Sequence, residues 1–303
     1  MTMKRLSIVL AGLALGASAA HATVIAADLF DDPGYSLGGA IYPDSNQDIG
    51  YGAGVGPNDG TGFTSGWSNP YYTATRTVVR GLSYAGLATS RFSAASPAYV
   101  ACTYCVNSTA LRTFSGNTAT TELWVSFLIR EKGVTPKDFS AYPNYGGFAI
   151  EDAGGDFLYA GVPGLQPDST ANYSLQTGAG AAQSATAASG ATTLLVVDIR
   201  DNGQAYLYVD PAVGQALGAP QATIATAITP GGATGLYWSD SWGWTYGDVR
   251  VGATLADVTP AGSPVPEPAA WTLMLAGFAA LGGALRAVPR SGVVSREGRQ
   301  SAA

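Results

Sequence analysis

"TTLLVVDIRDNGQAYLYVD", residues 192–210, reads as two β-strands and the turn that joins them. Leu195, Val197 and Ile199 alternate along the first arm, and Ala205, Leu207 and Val209 along the second. That is the period of two expected of strands with one face in a core. Asp201-Asn202-Gly203 lies between the arms, and Asn-Gly supplies the positive φ that a tight hairpin needs. "TELWVSFLIR" (121–130) is apolar at nearly every position, as a strand buried on both faces would be. "GGFAIE" (146–151) and "DFLYAG" (156–161) flank the turn "DAGG", and "YGDVRVG" (246–252) sends Val249 and Val251 inward and Asp248 and Arg250 outward. Little of the chain has helical period. Many short strands with regular turn signals predict an all-β fold, an antiparallel jelly-roll β-sandwich. "TGAGAAQSATAASGATT" (177–193) is of low complexity and reads as a flexible surface loop.

The two ends read differently from this body. Lys4 and Arg5, an apolar run over 6–19 and Ala20-His21-Ala22 form a secretory signal peptide with an A-x-A cleavage site. The expected organisation is a signal peptide (1–22), a sandwich body (23–261), a Pro-rich linker (262–268), a transmembrane helix (269–286) and a basic cytoplasmic tail (287–303). The 17 uncharged residues 269–285 reach about 26 Å as a helix, near the lower limit for a hydrocarbon core of about 30 Å. Arg286, Arg290, Arg296 and Arg299 follow and would hold that end in the cytoplasm.

Composition excludes several chemistries. The chain of 303 residues holds one histidine, His21, inside the signal peptide. The mature protein therefore has no Ser-His-Asp or Cys-His system and no His-ligated zinc or copper. Between residues 23 and 263 there are 9 Lys and Arg against 19 Asp and Glu. An acidic body does not bind nucleic acid through phosphates. The two cysteines, Cys102 and Cys105 in "CTYC", read as a disulfide stapling a turn in an oxidising compartment. A redox C-x-x-C needs a βαβ context, which this segment lacks.

Candidate ligand residues lie in two places. "GLYWSDSWGWTYGD" (235–248) gathers Tyr237, Trp238, Trp242, Trp244 and Tyr246 around Asp240 and Ser241. Aromatic faces stack on sugar rings and carboxylates bond hydroxyls, so Trp238, Asp240, Trp242, Trp244 and Tyr246 are the glycan-binding candidates. Strand period puts Trp242, Trp244 and Tyr246 on one face, which serves a sugar platform or a sandwich core equally well. Asp44, Asn46 and Asp48 in "PDSNQD" offer the oxygen ligands Ca²⁺ takes, but the Gly and closing Glu of an EF-hand loop are missing, and a solvated turn accounts for them as well. No other cofactor is expected. For hydrolysis, the nearest carboxylate cluster is Glu151, Asp152 and Asp156 at a turn, whereas a glycosidase needs two carboxyls about 5 to 10 Å apart. The expectation is a protein that is not an enzyme.

Two resemblances extend this reading. "DGTGFTSGWSN" (59–69), "GLSYAGLATS" (81–90), "WVSFLIR" (124–130), "TTLLVVDIRDNG" (192–203), "YVDP" (208–211) and "YGDVRVGATLADVTP" (246–260) occur in this order. Together they resemble the concanavalin A-like, laminin-G-like jelly roll of exported bacterial surface proteins. That superfamily holds lectins, glycosidases and inert modules, so the likeness implies a fold and not a function. Pro266-Glu267-Pro268, then Trp271, an apolar run and Arg286 resemble the PEP-CTERM sorting signal. This resemblance implies an exosortase-type transpeptidase as partner in a Gram-negative bacterium that makes exopolysaccharide. It also implies a membrane-anchored intermediate and delivery to the cell surface or matrix, where exopolysaccharide is a candidate partner.

Overall fold

The computed structural model describes residues 24–31, 35–39, 60–68, 77–96, 108–114, 119, 121–131, 145–163, 172–240 and 243–262. In chain order the described strands are β1 (Val24–Asp28), β2 (Thr77–Arg80), β3 (Phe92–Ala95), β4 (Ser108–Thr113), β5 (Glu122–Glu131), β6 (Gly146–Asp152) and β7 (Phe157–Val162), followed by β8 (Asn172–Thr177), β9 (Gly180–Ala187), β10 (Thr193–Arg200), β11 (Gln204–Val209), β12 (Ala222–Ala225), β13 (Ala233–Asp240) and β14 (Trp244–Gly252). One short helix, α1 (Leu255–Val258), follows the last strand.

The strands form two antiparallel sheets. One has eight strands in the order β12-β11-β10-β5-β14-β3-β2, with β1 also paired to β14. The other has six, in the order β4-β13-β6-β7-β8-β9. Alternation explains how they close on each other. Leu123, Val125, Phe127 and Ile129 of β5, Leu195, Val197 and Ile199 of β10, and Ala205, Leu207 and Val209 of β11 meet Phe148, Ile150, Leu158, Leu175, Leu236 and Trp238 from the six-stranded sheet. This is a sandwich core. The expected all-β antiparallel sandwich is what the chain forms. Among the described residues no helix is long and apolar enough to cross a membrane, and residues 269–286 lie outside them.

The opening hairpin has the expected inward faces, with Val197 opposite Leu207 and Ile199 opposite Ala205. Only Gly203 of its turn takes a positive φ, +74°, and the Asn202 side chain instead accepts from the Gln204 N–H at 3.0 Å. Residues 177–193 differ from expectation: Gly180–Ala187 is strand β9, hydrogen-bonded to β8 at the edge of the six-stranded sheet. Its small residues suit an edge strand that needs no large buried face.

The outer faces of the two sheets are unlike. On the eight-stranded sheet, Trp124, Leu128, Leu194, Val196 and Tyr208 form a second apolar layer with Leu82, Leu87 and Val258. Loop 81–90 and α1 lie over it. Ser126 Oγ donates to the Val258 carbonyl at 2.6 Å, and Ser90 N–H donates to Asp248 at 2.9 Å. Every described strand and both apolar layers fall within residues 24–262, which form one compact unit.

Candidate functional site

Of the two roles open to the aromatic segment, sugar platform or sandwich core, Trp238, Asp240, Trp244 and Tyr246 take the core. Trp238 is 0% exposed, Trp244 1%, Tyr246 0% and Asp240 0%. Their rings pack on other rings: Trp238 and Tyr246 are edge-on at 4.6 Å, Phe148 lies 5.4 Å from each, and Trp67 lies 5.6 Å from Trp238. Asp240 accepts from Trp238 Nε1 at 3.0 Å within the same layer. The cause is strand parity. Leu236, Trp238 and Asp240 share the inward face of β13, and Trp244 and Tyr246 the inward face of β14. None of these four side chains offers a face to a sugar. Trp242 lies outside the described residues, as do Asp44, Asn46 and Asp48, Cys102 and Cys105, and Pro266, Glu267, Pro268, Trp271 and Arg286.

The same parity turns Tyr237 and Ser239 outward. Cross-strand register places Leu111, Tyr237, Ala149, Tyr159 and Gln176 in one row across the outer face of β4, β13, β6, β7 and β8. One row further along, Ser239, Gly147, Gly161 and Ser174 stand in line, and on the other side Thr113, Gly235, Glu151 and Phe157. Phe157 is 38% exposed, and Tyr237, Ser239, Gln176 and Glu151 are half-buried.

Glycines shape this surface. Gly147 has no room for a side chain: a Cβ there would stand 2.1 Å from the Ala160 carbonyl oxygen and 2.9 Å from both Gly161 Cα and Tyr159 Cζ. The Tyr159 hydroxyl is within reach of the Ser239 carbonyl at 3.4 Å and the Val162 carbonyl at 3.3 Å, which ties the ring across β6 and β13. Gly147, Gly161 and Ala149 are buried along this face, while Tyr237 is partly exposed and Phe157 is 38% exposed beside them. Adjacent strands lie about 4.8 Å apart, so the row from Tyr237 to Gln176, three strands across, spans roughly 14 Å. Sequence reading singled out Tyr237 within its segment but not Tyr159, Phe157, Gln176 or Ser239. Their signal was the alternation in "FLYAG" and "LYWSD", which needs the sheet order before it identifies a face.

Carboxylates gather at two points. Glu151 has its proton affinity raised by partial burial and by neighbouring Asp152. Asp152 Oδ1 accepts from the N–H groups of Gly154 and Asp156, at 2.8 and 3.0 Å, and so caps the 153–156 turn. On the outer face of the eight-stranded sheet, Arg200 Nε stands 2.6 Å from Asp198 Oδ2 and 3.7 Å from Glu122 Oε1. Burial pushes Asp198 up to about 6 against the opposing pull of Arg200. Trp124 Nε1 donates to Glu122 at 3.0 Å, and the Arg200 guanidinium lies 4.7 Å from the Tyr206 ring centre. The guanidinium thus sits between the two acids, with the Asp198 side chain fully buried beneath it, and braces β5 against β10. Among the described residues no group of three or more His, Cys, Asp or Glu could hold a metal ion.

No family model matches this chain, and no curated protein does. Solved structures of similar shape include domain 4 of AbnA, a GH43 extracellular arabinanase from Geobacillus stearothermophilus, in complex with arabinotriose, at a TM-score of 0.38 and 13% identity, covering 78% of this chain and 97% of that one. The Emp46p carbohydrate recognition domain in its metal-free form gives a TM-score of 0.35 at 10% identity, covering 59% and 88%. A glycosyl hydrolase family protein from Mycobacterium fortuitum gives 0.36 at 12% identity, covering 75% and 99%. None of these likenesses carries a site or an activity over to this chain.

Proposed function

We propose that this chain is an exported, non-catalytic surface or matrix protein whose body binds glycan on the outer face of the six-stranded sheet. One observation carries the reading: the row Tyr237, Ala149, Tyr159 and Gln176, flanked by Ser239 and Phe157. The partly exposed rings of Tyr237 and Phe157, beside hydroxyl and amide groups and the buried Tyr159, are the kind of surface that pyranose rings stack on and bond to. The opposite outer face is occupied by the apolar layer under loop 81–90 and α1. The signal peptide and the Pro266-Glu267-Pro268 tail support export, passage through a membrane-anchored intermediate and processing by an exosortase-type transpeptidase. Exopolysaccharide of the host is the ligand that fits this location.

The test is a glycan array that includes the host's own exopolysaccharide, probed with residues 23–263, with and without Ca²⁺. Saturable binding that Tyr237→Ala weakens roughly ten-fold, and Tyr237→Phe preserves, is the expected result. A well-folded body that binds nothing on the array makes the protein purely structural. Release of reducing sugar from any bound glycan, lost on Glu151→Gln, would make it a glycosidase, since Glu151 is the one acid on this face among the described residues.

A further inference from the structure

We propose that the outer face of the six-stranded sheet is selective for neutral polysaccharide and rejects chains that carry uronate or sulfate groups. This inference rests on the sheet-face reading and adds the ligand's charge class to it. The described cations lie away from this face. Six arginines lie among the described residues: Arg80, Arg91, Arg112, Arg130, Arg200 and Arg250. Arg80, Arg130, Arg200 and Arg250 belong to strands of the eight-stranded sheet. Arg91 precedes β3 of that sheet and lies over the Phe92 ring.

Arg112 is the one described cation in the six-stranded sheet, and it points the other way. It is fully buried, ion-paired with Asp28, bonded to the Ser65 carbonyl at 2.9 Å and 4.1 Å from the centre of the Phe63 ring. Parity puts Leu111 and Thr113, not Arg112, on the outer face of β4. A polyanion laid on this face therefore finds no guanidinium or ammonium to pair with among the described residues. Strong carboxylate and sulfate recognition depends on such partners, above all on the bidentate arginine fork.

The charges that are present oppose an anion. Glu151 stands in the row with Phe157, and Asp152 and Asp156 close the turn at the end of the same strands. Partial burial and Asp152 already raise the Glu151 proton affinity, so a further negative charge beside it is doubly unfavourable. At longer range, 9 basic against 19 acidic residues between 23 and 263 repel a polyanion before contact. A neutral chain meets none of this. Ser239 and Gln176 add hydrogen-bond donors and acceptors, and the faces of Tyr237 and Phe157 carry the negative side of the ring quadrupole, which suits the C–H face of a neutral sugar and not an anion.

Affinity electrophoresis of residues 23–263 in native gels tests the inference. The gels contain one of four polysaccharides: mixed-linkage β-glucan, galactomannan, polygalacturonate or heparin. The expected result is retardation by at least one neutral polysaccharide, equal at low salt and at about 0.3 M NaCl where charge is screened, with neither polyanion retarding the body. Tyr237→Ala should reduce the neutral retardation roughly ten-fold in dissociation constant. Gln176→Lys, which places one cation in the row, should create salt-sensitive retardation by polygalacturonate.

Each alternative has its own signature. Retardation of the unaltered body by a polyanion, weakened by Tyr237→Ala, overturns the neutral selectivity and leaves the sheet-face reading standing. Neutral retardation that Tyr237→Ala does not change overturns the sheet face as the site, and the selectivity with it. No retardation by any of the four, with an unchanged circular dichroism spectrum, overturns both.

Discussion

Asp198 and Asp248 share a local design, Asp-x-Arg, on two strands of the eight-stranded sheet. Asp198 pairs with Arg200, and Asp248 with Arg250 at 3.0 Å, and both aspartates are buried. Burial is the larger effect in each. It raises both carboxyls from 3.8 to about 6, against the pull of the arginine and, for Asp248, of Ser90. Burial also lowers the Arg250 affinity for its proton, so the two partners tell the same story: water is the better solvent for this pair. A carboxyl whose affinity is raised by folding binds its proton more tightly in the native state. Its contribution to stability is complete below pH 3.8 and is lost as pH rises to about 6. The urea midpoint of the body should accordingly fall across that window, and Asp248→Asn should flatten the fall. A midpoint that rises from pH 4 to 6 with the same slope in wild type and variant would refute the assignment.

The Asp28–Arg112 pair is a different case. Both side chains are fully buried, and Asp28 also accepts from Trp67 Nε1 at 2.6 Å and from the Phe30 N–H at 2.8 Å. The pair ties β1, β4 and segment 60–68 together inside the core. Removing one member strands the other charge in apolar surroundings, so Arg112→Met should lower stability by about 3–5 kcal/mol. The double variant Asp28→Asn, Arg112→Met removes both charges and keeps an acceptor for Trp67. It should recover part of that loss in urea unfolding. Equal losses for the single and double variants would mean that packing, not stranded charge, is responsible.

At the scale of elements, β14 shows where sequence alone stops. Its neighbours in the sheet are β5 on one side and β3 and β1 on the other. Trp244 and Tyr246 face inward, and so do Val249 and Val251, although 246 and 249 have opposite parity. The register shift between Gly247 and Arg250, with Asp248 at φ +51°, resets the alternation. The alternation of Val249 and Val251 was legible, and so was that of Trp244 and Tyr246. The bulge that sends both pairs inward was not, because a non-glycine residue carries it and its Ser90 partners are 158 positions away. The hairpin of β10 and β11 is the opposite case, since its signals are local. There the prediction is sharp: Gly203, at φ +74°, tolerates a Cβ poorly, and Gly203→Ala should cost about 1–2 kcal/mol in unfolding free energy with no change in the far-ultraviolet spectrum. An Asn202→Ala change, which removes only the bond to the Gln204 N–H, should cost less.

For the whole molecule, the two outer faces divide the labour. The eight-stranded sheet uses its outer face for stability, under loop 81–90 and α1. The six-stranded sheet keeps small and polar residues outside, with rings at Tyr237, Tyr159 and Phe157. Reading the site needed this global fact. Residue types in 235–248 suggested sugar binding, but which of them face outward depends on which sheet each strand joins. Sheet order follows from long-range pairing, such as Tyr237 with both Leu111 and Ala149, and no local pattern encodes it. The same global view separates folding from sorting. All described strands and both apolar layers lie within residues 24–262. On the proposed reading, a chain ending at Ser263 that keeps residues 1–22 should fold and be exported. In the native host it should appear in the culture medium with Thr23 as its first residue, while the full chain stays with the cell envelope. Intact mass and N-terminal sequencing of both fractions check this. A truncated chain that remains bound to cells as firmly as the full one would place retention in the body and remove the tail from the account.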